Sequence, residues 1–160
     1  MKKFKKALCL LLILCMSISI FACGSNVKKV TIATGGSSGT YYGFTGVVAQ
    51  RLNEVLKDKM KLNVVVSGAS KANVQMIAAK KAQLAIIQND VMTYAYNKTD
   101  MFVEDNNAPY TSFSAVASAY PESIQIIANK SISDISELKG KRVSVGDAGS
   151  GVEFNAKQIL

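Results

Sequence analysis

The chain has 160 residues, a formal charge of +8, 49% hydrophobic residues, two prolines, and neither His nor Trp. This composition excludes a disordered chain, and the absent His removes the commonest general base and metal ligand. Lys2, Lys3, Lys5 and Lys6 carry half of the charge; without them, 15 basic residues stand against 11 acidic ones. The remaining lysines are scattered, with no basic stripe or interleaved aromatics, which argues against a nucleic-acid surface.

The opening stretch, MKKFKKALCLLLILCMSISIFACGSN, has a basic start, an apolar segment over residues 7–16 and then small residues. That is the layout of a secretory signal peptide. The alternative is a transmembrane helix, but the apolar segment is shorter than the roughly 20 residues a span requires. Ile20-Phe21-Ala22-Cys23 resembles a bacterial lipobox, although Phe21 is larger than the residue usual there. Residues 1–22 are therefore expected to be a lipoprotein signal peptide, with cleavage before Cys23 and lipidation on it. Residues 23–29 become a polar tether to the membrane. Cys9 and Cys15 fall inside the leader, so the processed chain keeps Cys23 alone. One thiol makes no internal disulfide, and no second Cys or His remains to share a metal or redox role.

After the tether, KVTIAT (residues 29–34) alternates apolar and polar residues and predicts a strand. The glycine-rich TGGSSGTYYGF follows, spanning residues 34–44. Phe44, Val47, Val48, Leu52, Val55 and Leu56 then recur at helical spacing and predict a helix of about four turns with these residues on its buried face. LNVVVSG (62–68) predicts a second strand. Ser70 is expected to cap the next helix, with Val74, Ile77 and Ala78 buried. LAII (84–87) reads as a short buried strand, and Asp90 sits at the start of a helix running to about Tyr96. Residues 98–109 read as a polar loop. SFSAVASAY (112–120) and SIQIIAN (123–129) predict two further strands. Asp134 and Glu137 resemble a capping box on a short helix that Gly140 ends. RVSVG (142–146) predicts another strand, DAGSG another small-residue loop, and Val152 the start of a last helix.

Strand, loop and helix alternate, which predicts an α/β fold with a largely parallel sheet. Ligands in such folds bind beyond the carboxyl ends of the strands. The small and polar residues lie in those loops, at residues 35–42, 67–73, 88–90 and 146–151. GGSSGT has no Lys before Thr40 and is not a phosphate loop of the Walker type. GDAGSG lacks the dinucleotide glycine spacing, and no His can activate Ser150. No cluster has metal-ligand spacing, so neither a metal, a cofactor nor an enzyme activity is expected. What remains is a set of donors. Free amides at a helix start, with the hydroxyls of Ser37, Ser38, Thr40 and Ser150, suit a small anion. Asp90 either holds an ammonium on the same ligand or serves only as a cap. Tyr41, Tyr42 and Tyr120 are either ligand walls or packing residues, and Asn73 either touches ligand or points to solvent.

TGGSSGTYYG, SGASKANVQMI, AIIQNDV, YPESIQIIA and ISELKGKRVSVGDAGSGVEFNAKQIL, in that order, resemble the TAXI-type solute-binding receptors of TRAP transporters. The resemblance runs from about Val30 to Leu160. It implies a type II periplasmic-binding-protein fold in which two α/β lobes close on a small ligand and deliver it to a membrane permease. Residues 30–128 would form an incomplete first lobe and residues 129–160 the start of a second, as in the N-terminal half of a longer receptor. Family ligands include amino acids and organic acids such as glutamate and 2-oxoglutarate. By motif position, Ser37, Ser38, Gly39, Thr40, Tyr41, Tyr42, Ser70, Asn73, Gln88 and Asp90 would line one side of the cleft. Tyr120 would lie close by, and Ser150 and Gly151 would face them. Gly43-Phe44-Thr45 stand where many members have Pro and then Gly after the tyrosine pair, and Val152 stands where members often have Thr. The implied location is extracytoplasmic, anchored by lipid on Cys23 to the outer face of the bacterial cytoplasmic membrane. A small-acid enzyme on the same two-lobe architecture and a non-functional truncated product are the alternatives.

Overall fold

The computed structural model describes residues 27–160. The expected leader, lipobox and most of the tether lie outside these residues. Strand β1, Lys28–Ala33, is followed by helix α1, Thr40–Val55; strand β2, Met60–Val65, by helix α2, Ala69–Ala78; and strand β3, Leu84–Ala85, by helix α3, Asn89–Asn97. Short 3-10 turns at Asp100–Phe102 and Ile135–Leu138 precede helix α4, Gly151–Ile159. The strands form a parallel sheet in the order β2-β1-β3. This is the mixed α/β architecture expected, with the sheet organisation of a partial periplasmic-binding-protein-like fold.

The register aligns the strand ends. Ala33 lies opposite Val65 on one side and Ala85 on the other. All three following loops therefore leave the same edge of the sheet. The outer edge of β2 is covered by a side chain: the Asn53 carboxamide donates to the Leu62 carbonyl at 3.0 Å and accepts from its N–H at 2.7 Å. An exposed strand edge is thereby occupied in strand-like geometry.

Two apolar clusters hold the elements. Ile32, Leu62 and Ala49 join the sheet to α1. Val74, Val91, Ala95, Phe102, Ala108 and Tyr110 join α2 and α3 to the segment after α3. The polar loop expected at 98–109 thus contains a core residue, because the 3-10 turn aims fully buried Phe102 inward. Lys71 spans this cluster, its ammonium 5.4 Å from the Phe102 ring centroid and 2.6 Å from the Met101 carbonyl.

Several expectations are corrected. Residues 112–120, 123–129 and 142–146 belong to no strand among the described residues. Their apolar content supplies β propensity, but a strand also requires a hydrogen-bonded neighbour, and β3 pairs along only two residues. The 84–87 strand is shortened accordingly, with Leu84 at the surface. Helix α1 buries Thr45 and Ala49, each 3% exposed, whereas Val47 is 71% and Val55 65% exposed. Its small-residue face lies on the sheet, where close approach is possible; Val47 and Val55 face outward, and Phe44, Val48 and Leu52 lie at the margin between the two. Gly68, not Ser70, precedes α2, and Ser70 is fully buried in its first turn. At Asp134 the side chain accepts from the Ser136 N–H at 2.8 Å, while Glu137 reaches back to Ser133 rather than to Asp134.

Candidate functional site

The site is built from the loops at the common edge of the sheet. The first, after β1, is anchored by Thr34, which is fully buried. Its N–H and hydroxyl both donate to the Val65 carbonyl, at 3.2 and 2.7 Å. The loop then tightens as the Gly39 N–H donates to the Gly36 carbonyl at 2.8 Å. A Cβ on Gly39 would stand 3.1 Å from that same carbonyl, so the close approach favours glycine. Ser37, Ser38, Gly39 and Thr40 are exposed, while Tyr41 and Tyr42 are half-buried in the first turn of α1. No side chain caps α1 among the described residues, and no acidic residue lies in its first turn. Its first amides face outward at the positive end of the helix dipole.

Asn73 ties the three loops together. Its Nδ2 donates to the Thr34 carbonyl at 2.6 Å and the Ile86 carbonyl at 2.7 Å. Its Oδ1 accepts from the Ser67 hydroxyl at 2.5 Å. Both of its donors and its acceptor are thus engaged inside the protein, and the residue is fully buried. It neither points to solvent nor lies on the open surface. Ser70 lies beside it, its hydroxyl accepting from the Gln88 N–H at 3.1 Å.

Around the α1 end, aromatic groups draw in the 120–122 segment. The Tyr41 hydroxyl donates to Glu122 Oε2 at 3.0 Å. The Tyr120 ring meets Tyr41 edge-on at 6.4 Å and Phe44 at 5.3 Å. Burial holds the Tyr41 hydroxyl protonated well above the ordinary tyrosine range; the nearby Ser70 hydroxyl opposes this, and the Glu122 carboxylate reinforces it. Tyr41 is thereby kept as a neutral donor. The Tyr120 hydroxyl is buried and has no hydrogen-bond partner among the described residues.

The 146–150 loop approaches from the other side. A Cβ on Gly36 would lie 3.6 Å from Asp147 Oδ2, which places that carboxylate against the first glycine loop. Ser150 is buried and caps α4, its hydroxyl accepting from the Glu153 N–H at 3.0 Å. Glu153 in turn accepts from the Gly149 N–H at 2.7 Å, and Lys157 lies 2.6 Å from its other oxygen. The Lys157 bond, reinforced by the Gly149 N–H, holds the Glu153 carboxyl below the usual range. Gly151 packs directly on the Gln88 carboxamide, with no room for a Cβ. Gln88 Nε2 donates to Asn155 Oδ1 at 3.0 Å, and Asn155 Nδ2 donates to Asp90 Oδ2 at 3.1 Å. Asp90 Oδ1 accepts from the Val91 N–H at 2.8 Å.

A broad opening of about 1600 Å³ has Tyr41, Gln88, Asp90, Tyr120, Glu122 and Asn155 on its wall. Ser37, Ser38, Thr40 and Tyr42 are not on that wall, and neither are the buried Ser70, Asn73, Ser150 and Gly151. A typical small-molecule pocket holds roughly 300–1,000 Å³, so the opening is a cleft rather than a closed pocket. On this wall Asp90 suits an ammonium; Asp147 lies outside it, against the glycine loop, where the exposed start of α1 suits a carboxylate. Among the described residues, no group of three His, Cys, Asp or Glu side chains could hold a metal ion.

Glu122, Asp147 and Asn155 join the candidate residues only through the structure. Asp147 stands inside the small-residue run GDAGSG, which is its one signal in the sequence. Asn155 carries one usable signal: it lies four positions after Gly151, on the same helical face. Glu122 has none, since its reach to Tyr41 spans 81 positions. Residues 32–160 match the model of the NMT1-like family, which covers most of the chain.

Proposed function

The chain belongs to the NMT1-like family, and from that premise we propose that it is an extracytoplasmic receptor that captures a small solute for a TRAP-type permease. The family supports a solute-binding role in general. The observation that carries the reading is that the uncapped α1 end, with Asp147 set against its glycine loop, and Asp90 at the start of α3 lie at the same edge of a parallel sheet. An uncapped helix start attracts a carboxylate, and the two acids attract an ammonium. The ligand class that satisfies both is an amino acid or a similar small carboxylate, of the kind represented by glutamate and 2-oxoglutarate. The ordered motifs similar to TAXI receptors support the permease partner. The lipobox-like run before Cys23 supports an anchor on the outer face of the cytoplasmic membrane.

Titration calorimetry with a panel of amino acids and dicarboxylates tests the reading, followed by chromatography of the released solute. The expected result is saturable binding at one site per chain and recovery of the solute unchanged. Absence of binding across the panel, or conversion of the solute, would overturn it. For the anchor, radioactive palmitate should label the wild type in a bacterial host. The label should vanish in Cys23→Ala; label retained in that variant removes the assignment.

A further inference from the structure

We propose that Asn155 is a positioning residue, whose carboxamide locks helix α4 to the first turn of α3 and sets the orientation of both Gln88 and Asp90. The hydrogen-bond chain has one consistent direction. A carboxylate only accepts, so Asp90 Oδ2 must meet the Nδ2 end of Asn155, at 3.1 Å. The Oδ1 end then faces Gln88 and must be met by its amide nitrogen, as found at 3.0 Å. Gln88 is left with its oxygen end against Gly151, where a Cβ would overlap it.

A second, apolar contact aligns with this chain. Phe154 packs on Tyr94 with ring centroids 5.3 Å apart. Gly151, Phe154 and Asn155 follow the three- and four-residue spacing of one helical face. Asp90 and Tyr94 do the same on α3. The two helices therefore meet through a close-approach glycine, an aromatic pair and a directed carboxamide bridge. Only a planar group with a donor and an acceptor at one end fits the middle position. Alanine removes both bonds. Aspartate keeps the shape but faces Asp90 with a second carboxylate.

The consequence for binding rests on the solute-receptor reading. Asp90 Oδ1 is fixed by the Val91 N–H and Oδ2 by Asn155. The carboxylate is held in one orientation before any ligand arrives, with lone pairs still free for an ammonium. Removing Asn155 frees Asp90 to rotate, which weakens recognition of an ammonium more than recognition of a carboxylate.

Two measurements on the full chain decide this. Hydrogen exchange by NMR needs no ligand. In Asn155→Ala, and in the milder Gln88→Ala, exchange at Met92 and across α4 should accelerate on the order of tenfold, while the β1–β2 amides stay unchanged. Asn155→Asp should accelerate the same amides at least as much as Asn155→Ala. Unchanged exchange at α3 and α4, or equal acceleration everywhere, overturns the lock. Calorimetry with glutamate and 2-oxoglutarate, which differ in the ammonium, supplies the second readout. In Asn155→Ala the preference for glutamate should fall about tenfold. Equal losses for both probes would reduce Asn155 to a merely structural residue. If the wild type binds neither probe, the receptor reading fails for these solutes, and the exchange result alone decides the lock.

Discussion

Asn73 and Tyr41 carry different work from that suggested by their places in the sequence motifs. Asn73 bonds the Thr34 and Ile86 carbonyls and the Ser67 hydroxyl, all beneath the cleft. Asn73→Ala would leave the Ile86 carbonyl without this donor, while the Thr34 carbonyl keeps the Ser67 hydroxyl at 3.0 Å, and an unsatisfied buried group costs about 1–3 kcal/mol. We expect urea denaturation to show a loss of about 2 kcal/mol; a loss below about 0.5 kcal/mol would remove Asn73 from this role. Tyr41 gives a pH signature. Burial and Glu122 keep its hydroxyl protonated in the folded state beyond the ordinary range. The unfolded chain then releases this proton first, near pH 10 as an ordinary tyrosine does, so about pH 10 marks the onset of a stability loss that grows as pH rises. Tyr41→Phe should flatten that decline, measured as unfolding free energy between about pH 9 and 11 against wild type. Identical slopes in the two proteins would show that Tyr41 is not held neutral by its surroundings.

At the scale of elements, α1 shows what periodicity does and does not determine. Its length and amphipathic spacing were readable, because they depend on residue types along one helix. Which side met the sheet was not readable, because that depends on the partner. The sheet accepts Thr45 and Ala49, and the larger Val47 faces outward. Val47→Ser should therefore change stability by less than about 0.5 kcal/mol, whereas Ala49→Leu should cost about 1–3 kcal/mol by overpacking. Thermal unfolding of both variants checks the orientation, and a reversed order would place the buried face on the wrong side. The start of α4 lies one residue before the expected Val152, and Ser150, expected to hold a ligand, serves as its cap. Ser150 and Glu153 stand in S-x-x-E spacing, and the cap follows the sequence-local logic of such a pair.

For the whole molecule, the legible part is the β1–α1–β2–α2–β3–α3 order and the shared edge on which its loops meet. Each of those units is coded by nearby residues: alternation, then small residues, then helical spacing. The illegible part is pairing at long range. Val116, Ile124, Ile126 and Ile127 have strand composition and yet lie exposed, outside any ladder among the described residues. The site divides in the same way. The glycine loop and Asp90 could be picked from local pattern, but the bonds of Asn155 to Gln88 and Asp90 span 67 and 65 positions. This contrast predicts an uneven resistance to opening. Backbone in ladders and helices resists a protease until it unfolds, whereas exposed backbone outside them is cut directly. Thermolysin, which cuts beside bulky apolar residues, should attack first within 116–127 under native conditions. It should leave a resistant N-terminal fragment containing β1 to α3 and the Phe102 cluster. Mass spectrometry of the first products decides it: initial cuts inside α1, β2 or α2 would mean that those elements are not the stable part of the fold.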